Sequence, residues 1–159
     1  MNPSTFPHRR TADKVRGATL AEFAFVLPLL LAMIFGVIDF ARALYTYHFV
    51  SDAAREATRW ASVRGSNCTG LDACPAQASD VLAYVASITP PGIDNSLSKL
   101  SVDVNWVPPP NALNICATQP KNPGCAVQVT VVYRFKFIFP FLPLSTYSMR
   151  STAEMVISQ

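Results

Sequence analysis

The chain has 159 residues, half of them apolar and only 14% charged, with a formal charge of +3, a balance that points toward a membrane. The excess charge lies entirely in Arg9, Arg10, Lys14 and Arg16 set against Asp13, so everything from Ala18 onward is formally neutral. A nucleic-acid reader carries its basic excess on the folded part, and the opposite distribution here argues against a nucleic-acid partner.

Residues 1–16, with Pro3, Pro7 and no periodicity, read as a disordered basic leader. Residues 18–38 then hold one ionisable side chain, Glu22, and suffice for one crossing of a hydrocarbon core about 30 Å thick at about 1.5 Å per residue. Cations just before such a run set the N-terminus in the cytoplasm and send the rest of the chain across. We therefore expect a leader over 1–17, a membrane helix over 18–40 and an extracytoplasmic domain over 41–159.

The helical signal outlasts the membrane. Ala41, Ala43, Ala53, Ala54, Ala57 and Ala61 alternate with Asp39, Arg42, Asp52, Arg55, Glu56 and Arg59 at helical spacing, which extends the helix to about Val63, with Arg64-Gly65 as its stop. That makes a rod of roughly 70 Å. Pro28 removes one hydrogen bond inside it and predicts a kink or loosened turn near Ala24 to Pro28. Farther on, Pro75 suits the first turn of a short second helix whose buried face is Val81, Leu82, Val85 and Ile88, ended by Pro90-Pro91.

Leu100, Val102, Val104 and Trp106 alternate with polar residues as in a half-buried strand, and Val127 to Phe137 and Met149 to Ile157 supply two more. A turn-rich stretch separates the first two. The fold class is α+β: one long helix, one short helix and a small antiparallel sheet packed on the polar half of the long helix. Phe49 and Trp60 are expected under that sheet.

The four cysteines, Cys68, Cys74, Cys116 and Cys125, all lie on the extracytoplasmic side, where an even number suggests disulfides. Of the three pairings they allow, Cys68 with Cys74 and Cys116 with Cys125 close short loops and come first; free buried thiols are the alternative.

The most informative stretch is Arg16-Gly17-Ala18-Thr19-Leu20-Ala21-Glu22-Phe23. It resembles the processing site of type IV prepilins, in which a peptidase cuts after glycine and leaves glutamate at the fifth mature position, followed by an aromatic. Gly17, Glu22 and Phe23 match that pattern, and glycine at the cut suits an extended, accessible backbone. A carboxylate in hydrocarbon is costly unless paired, so Glu22 is a functional candidate. Cutting between Gly17 and Ala18 would create its partner, the new α-ammonium, on its own chain or on a neighbouring subunit. The plainer alternative puts Glu22 at headgroup level.

With Ala21-Glu22-Phe23-Ala24-Phe25-Val26-Leu27-Pro28, then Gly36-Val37-Ile38-Asp39-Phe40-Ala41-Arg42-Ala43 and Ala53-Ala54-Arg55-Glu56-Ala57, the first 65 residues resemble the TadE-like family, pseudopilins or minor pilins of the tight-adherence (Tad) pilus system. Tyr133 and the six residues before it look like the family's C-terminal strand. The resemblance implies a structural subunit of the bacterial inner membrane that supports adhesion and biofilm formation. Its implied partners are a prepilin peptidase, other pilins and pseudopilins, and the lipid bilayer.

Asp39 and Arg42, three apart on a helix, are close enough to pair at the outer membrane surface, as an ordinary interfacial pair or as an assembly contact. Catalysis finds little support. His48, Ser51 and Asp52 share one helical turn without the pocket and oxyanion site that a triad needs, Cys68 and Cys74 do not have zinc spacing, and no phosphate-cradling glycine loop occurs. The expectation is a protein that is not an enzyme, with no cofactor and no small-molecule substrate. Two competitors to a processed pilin remain: an uncut, anchored extracytoplasmic binding module, and a secreted protein whose apolar run is a signal peptide removed after Ala43.

Overall fold

Helix-forming residues, with Pro28 as the one strong breaker among them, carry α1 (Thr11–Ser62) through 52 residues, about 80 Å at 1.5 Å per residue. The structure is a computed structural model that describes residues 11–107, 115–138 and 146–159. Two expectations about α1 change. The segment read as disordered up to Arg16 is helical from Thr11, because no proline or glycine interrupts the sequence between Thr11 and Arg16. The helix also runs through Gly17, where a single glycine costs only about 1 kcal/mol against alanine, too little to break a helix between good formers. It continues past Pro28 without interruption and ends at Ser62, one residue before the expected stop.

Beyond the membrane-type run, α1 buries a narrow stripe of small residues. Val50, Ala53, Ala54, Ala57, Thr58 and Ala61 are all buried, while Asp52, Arg55, Glu56 and Arg59 between them stay exposed. The spacing of i, i+3, i+4 and i+7 puts the buried set on one face, and its short side chains let the sheet lie close. The Thr58 hydroxyl satisfies itself within the helix by donating to the Ala54 carbonyl at 2.7 Å.

The sheet is antiparallel, with β1 (Leu100–Val107), β2 (Ala126–Phe135) and β3 (Tyr147–Val156) in the order β1-β2-β3. Val102, Val131 and Ser151 form one register row, and Trp106, Val127 and Met155 another. Val127, Val129, Val131, Tyr133 and Phe135 of the central strand point into the core against α1. Gln128 and Thr130 face the other way, where Thr130 and Thr152 share a hydroxyl hydrogen bond of 2.9 Å. This is the alternation expected of a sheet covered on one face only.

The short helix α2 (Ala78–Ser87) covers β1. It starts three residues later than Pro75 suggested, because the Asp80 carboxylate accepts from the Gln77 N–H at 2.9 Å and so caps the first turn there. Of its expected buried face, Val81 and Val85 are fully buried, Leu82 is half-buried and Ile88, at the C-terminal cap, is exposed. Trp60 is half-buried against the core. It stacks on Tyr84 of α2 at 5.1 Å, and the Arg64 guanidinium lies over the indole at 4.0 Å. Phe49 is in the core, as expected.

The chain end closes the far side. Ile157 is buried, its N–H bonds to the Cys125 carbonyl at 2.8 Å, and the Ser158 N–H bonds to the Ser62 carbonyl at the end of α1 at 2.9 Å. Gly65 sits where this tail and the Lys121 carbonyl approach, and a Cβ there would meet that carbonyl at 2.6 Å. Its glycine is needed for close approach. A one-turn helix, α3 (Ile115–Thr118), precedes β2 and carries Cys116. Part of the turn-rich stretch before it, 108–114, lies outside the described residues.

Candidate anchoring and assembly site

Three levels of α1 hold the residues singled out by sequence. At the first, Gly17 lies inside the helix, exposed, helical and not extended, and none of the described residues stands within 4 Å of the position a Cβ would take there. Five residues on, Glu22 and Phe23 stand exposed, Phe23 at 60%. No hydrogen bond or ion pair joins Glu22 to another of the described residues.

The second level is apolar on every side. Leu20, Phe25, Leu29, Met33, Val37 and their neighbours are exposed around the whole helix, and only 6% of the most apolar window is buried within the molecule. A helix apolar all round and uncovered by its own protein suits a hydrocarbon surrounding. The sheet begins only where this stretch ends.

At the third level the chain ties itself to the helix. Asp39 is 3% exposed, and its carboxylate accepts the Ile138 N–H through both oxygens, at 3.2 and 3.0 Å. It also accepts from Arg42 Nη1 at 2.9 Å, and the Arg42 guanidinium lies 5.2 Å from the centre of the Phe135 ring. Asp39 is therefore more than half of a surface pair: it holds the exit of β2 to the helix just above the apolar stretch. Sequence reasoning found the pair but missed the anchor, because Ile138 is 99 residues away and contributes only a backbone group. Glu22 and Asp39 are separated by about 25 Å along the axis, nearly the thickness of a hydrocarbon core.

The cysteines stand as two local pairs. Cys68 and Cys74 have Cα atoms 5.9 Å apart in the loop after α1, and Cys116 and Cys125 have theirs 5.6 Å apart, joining α3 to the start of β2. Lys121, inside the second of these loops, gives its ammonium to the Ala76 carbonyl just beyond the first at 2.7 Å, and burial lowers its pKa. His48 and Asp52 stay on the exposed side of α1.

Residues 17–59 match the family model of TadE-like proteins. No curated protein and no solved structure matches the chain. The matched segment starts at Gly17 and takes in Glu22, Phe23, Asp39, Arg42 and most of the small-residue stripe, but none of the sheet. The match is thus a likeness of the N-terminal membrane-type helix to TadE-like proteins, a pilus-associated structural family.

Proposed function

Starting from a helix that is TadE-like over residues 17–59, we propose that this protein is a pilin-like structural subunit of a tight-adherence pilus. Residues 1–17 are a cytoplasmic leader, 18–40 span the inner membrane and 41–159 fold outside the cytoplasm. A prepilin peptidase cuts between Gly17 and Ala18, and other pilins then receive the helix, in an apparatus that serves adhesion and biofilm formation.

One observation carries this. A single unbroken helix passes from a bare apolar rod, with Glu22 near its start, directly into the face that carries the sheet. Such a rod can sit in lipid as a monomer and then exchange lipid for neighbouring rods without refolding its head. Glu22 makes that exchange directional: a carboxylate with no partner among the described residues is stabilised by an ammonium, and each cut subunit offers one at Ala18. Because the backbone at Gly17 is helical, the first turns must open for the peptidase, and a glycine there lowers the cost of opening.

The signal-peptide reading is disfavoured. A cut after Ala43 would divide α1 beside a residue packed on the core and would remove Asp39 from the Ile138 N–H. The uncut anchored module fits the same fold and differs in what it asks of Glu22. If Glu22 pairs with a neighbouring ammonium, Glu22→Leu leaves membrane insertion and cleavage intact yet abolishes co-purification with partner pilins. Glu22→Asp keeps part of the function and Glu22→Gln loses most of it. Normal assembly with leucine would remove the assembly role.

A further inference from the structure

Just above the apolar stretch lies a pocket that shares Arg42 and Phe135 with the Asp39 anchor. It encloses about 70 Å³ between α1, the loop before β1 and the end of β2, and Arg42, Lys99, Arg134 and Lys136 all line it, with Tyr133 and Gly92. From Ala18 onward the chain has nine Lys and Arg, the 13 of the whole less four in the leader, against nine Asp and Glu, the ten less Asp13. Four of those nine cations thus meet in one small cavity of a domain that is neutral as a whole.

Two of the cations are already answered. Arg42 pairs with Asp39, and Lys99 pairs with Asp94 at 2.8 Å. Arg134 and Lys136 have no acidic partner among the described residues. The wall also carries a buried donor. The Tyr133 hydroxyl, on a residue 6% exposed, accepts the Asp94 N–H at 3.3 Å, and no described acceptor takes its own proton. Gathering like charges around a hollow is unfavourable unless an anion enters, so the pocket has the charge and donors of an anion site. Its volume is far below the several hundred Å³ of an ordinary small-molecule site, which restricts the anion to a compact group.

Height selects the source. Arg42 follows Ile38 by four residues, about 6 Å along the axis, which is the depth of a headgroup layer flanking a core of about 30 Å. Phe40, Tyr45 and Tyr47 are exposed at the same level, where aromatic side chains sit at the membrane surface. We infer that Arg42, Lys99, Arg134 and Lys136 form a site for the phosphate of an anionic phospholipid headgroup, which seats the extracytoplasmic domain on the outer leaflet beside its own helix. The inference rests on the membrane placement proposed above. The lipid supplies the charge the pocket lacks, and Lys99, held by Asp94 with its pKa raised, stays cationic at neutral pH.

The test uses the full chain in detergent micelles and counts retained lipids by native mass spectrometry, with phosphatidylglycerol or phosphatidylcholine of the same acyl chains. Phosphatidylglycerol should be held roughly tenfold more tightly, because its net negative charge answers the unpaired cations. The double variant Arg134→Gln, Lys136→Gln, both exposed at the end of β2, should keep its melting temperature and lose the preference, while Arg150→Gln, outside the pocket, should keep it. Equal retention of the two lipids, or a preference untouched in the double variant, overturns the proposal. Inorganic phosphate added without lipid distinguishes the sources: competition with phosphatidylglycerol supports the site, and phosphate binding without any lipid preference overturns the lipid assignment. Carbonate washing of membranes reports separately on anchoring, because protein released by it would overturn the membrane placement while the lipid comparison still reads the pocket.

Discussion

Replacing Asp39 by alanine removes three described contacts at once: two from the Ile138 N–H and one from Arg42. Losing one partner of a buried ion pair costs about 3–5 kcal/mol, but that figure is an upper bound here because the Arg42 side chain is 42% exposed and rehydrates. The orphaned Ile138 N–H adds at most about 1 kcal/mol, because Ile138 is 60% exposed and water can replace the carboxylate. We expect Asp39→Ala to destabilise the domain by about 2–3 kcal/mol, a fall of about 5–10 °C in melting temperature for a domain of this size. Asp39→Asn keeps an acceptor for Ile138 and should cost about 1 kcal/mol. Thermal unfolding in detergent, followed by Trp60 and Trp106 fluorescence, measures both, and amide exchange at Ile138 should speed up in the alanine variant alone. A melting temperature unchanged by Asp39→Ala, or an asparagine as damaging as alanine, would refute the idea that the carboxylate pins β2 to the helix.

Two further outcomes are expected. Reduction of the cysteine pairs should cost about 2–3 kcal/mol for each bridge, the loop-closure entropy of loops spanning 6 and 9 positions, and four thiols counted in the unreduced, denatured protein would contradict the pairing. The pKa of Asp94 is lowered to about 2, chiefly by its hydrogen bond from Lys99, so the stabilisation it contributes is present above the unfolded value of 3.8 and lost as pH falls toward 2. Melting temperature should therefore drop more steeply between pH 4 and 2 in the wild type than in Lys99→Gln, and parallel curves would count against the pair.

Much of this architecture is legible along the chain because it is periodic. The apolar run, the alanine stripe from Ala53 to Ala61 and the alternation of Leu100 to Trp106 and of Val127 to Phe135 each repeat a local rule several times, and α1, β1 and β2 follow them. What escapes is set by single contacts between distant residues. Asp39 reads as a surface charge until Ile138 is brought against it, and the stacking of Trp60 on Tyr84 has no signal in the sequence. The start of α2 depends on Asp80 reaching back to one N–H, a choice that Pro75 obscures. The basic pocket is the extreme case, since Arg42, Lys99, Arg134 and Lys136 come from three separate segments and have no common spacing. At Glu22 and Gly17 the sequence supplies the candidates, and the partners proposed for them belong to other molecules.

Whether this helix is cut and then assembled is tested most directly by its mature N-terminus. Protein extracted from membranes of cells that carry the complete pilus machinery should have lost the 17 residues up to Gly17 and begin at Ala18, by intact mass and by terminal sequencing, and Gly17→Ala should slow or block that loss. A mature chain that still carries its leader would contradict the pilin reading and leave an anchored module, and one that begins at Leu44 would make the apolar run a signal peptide.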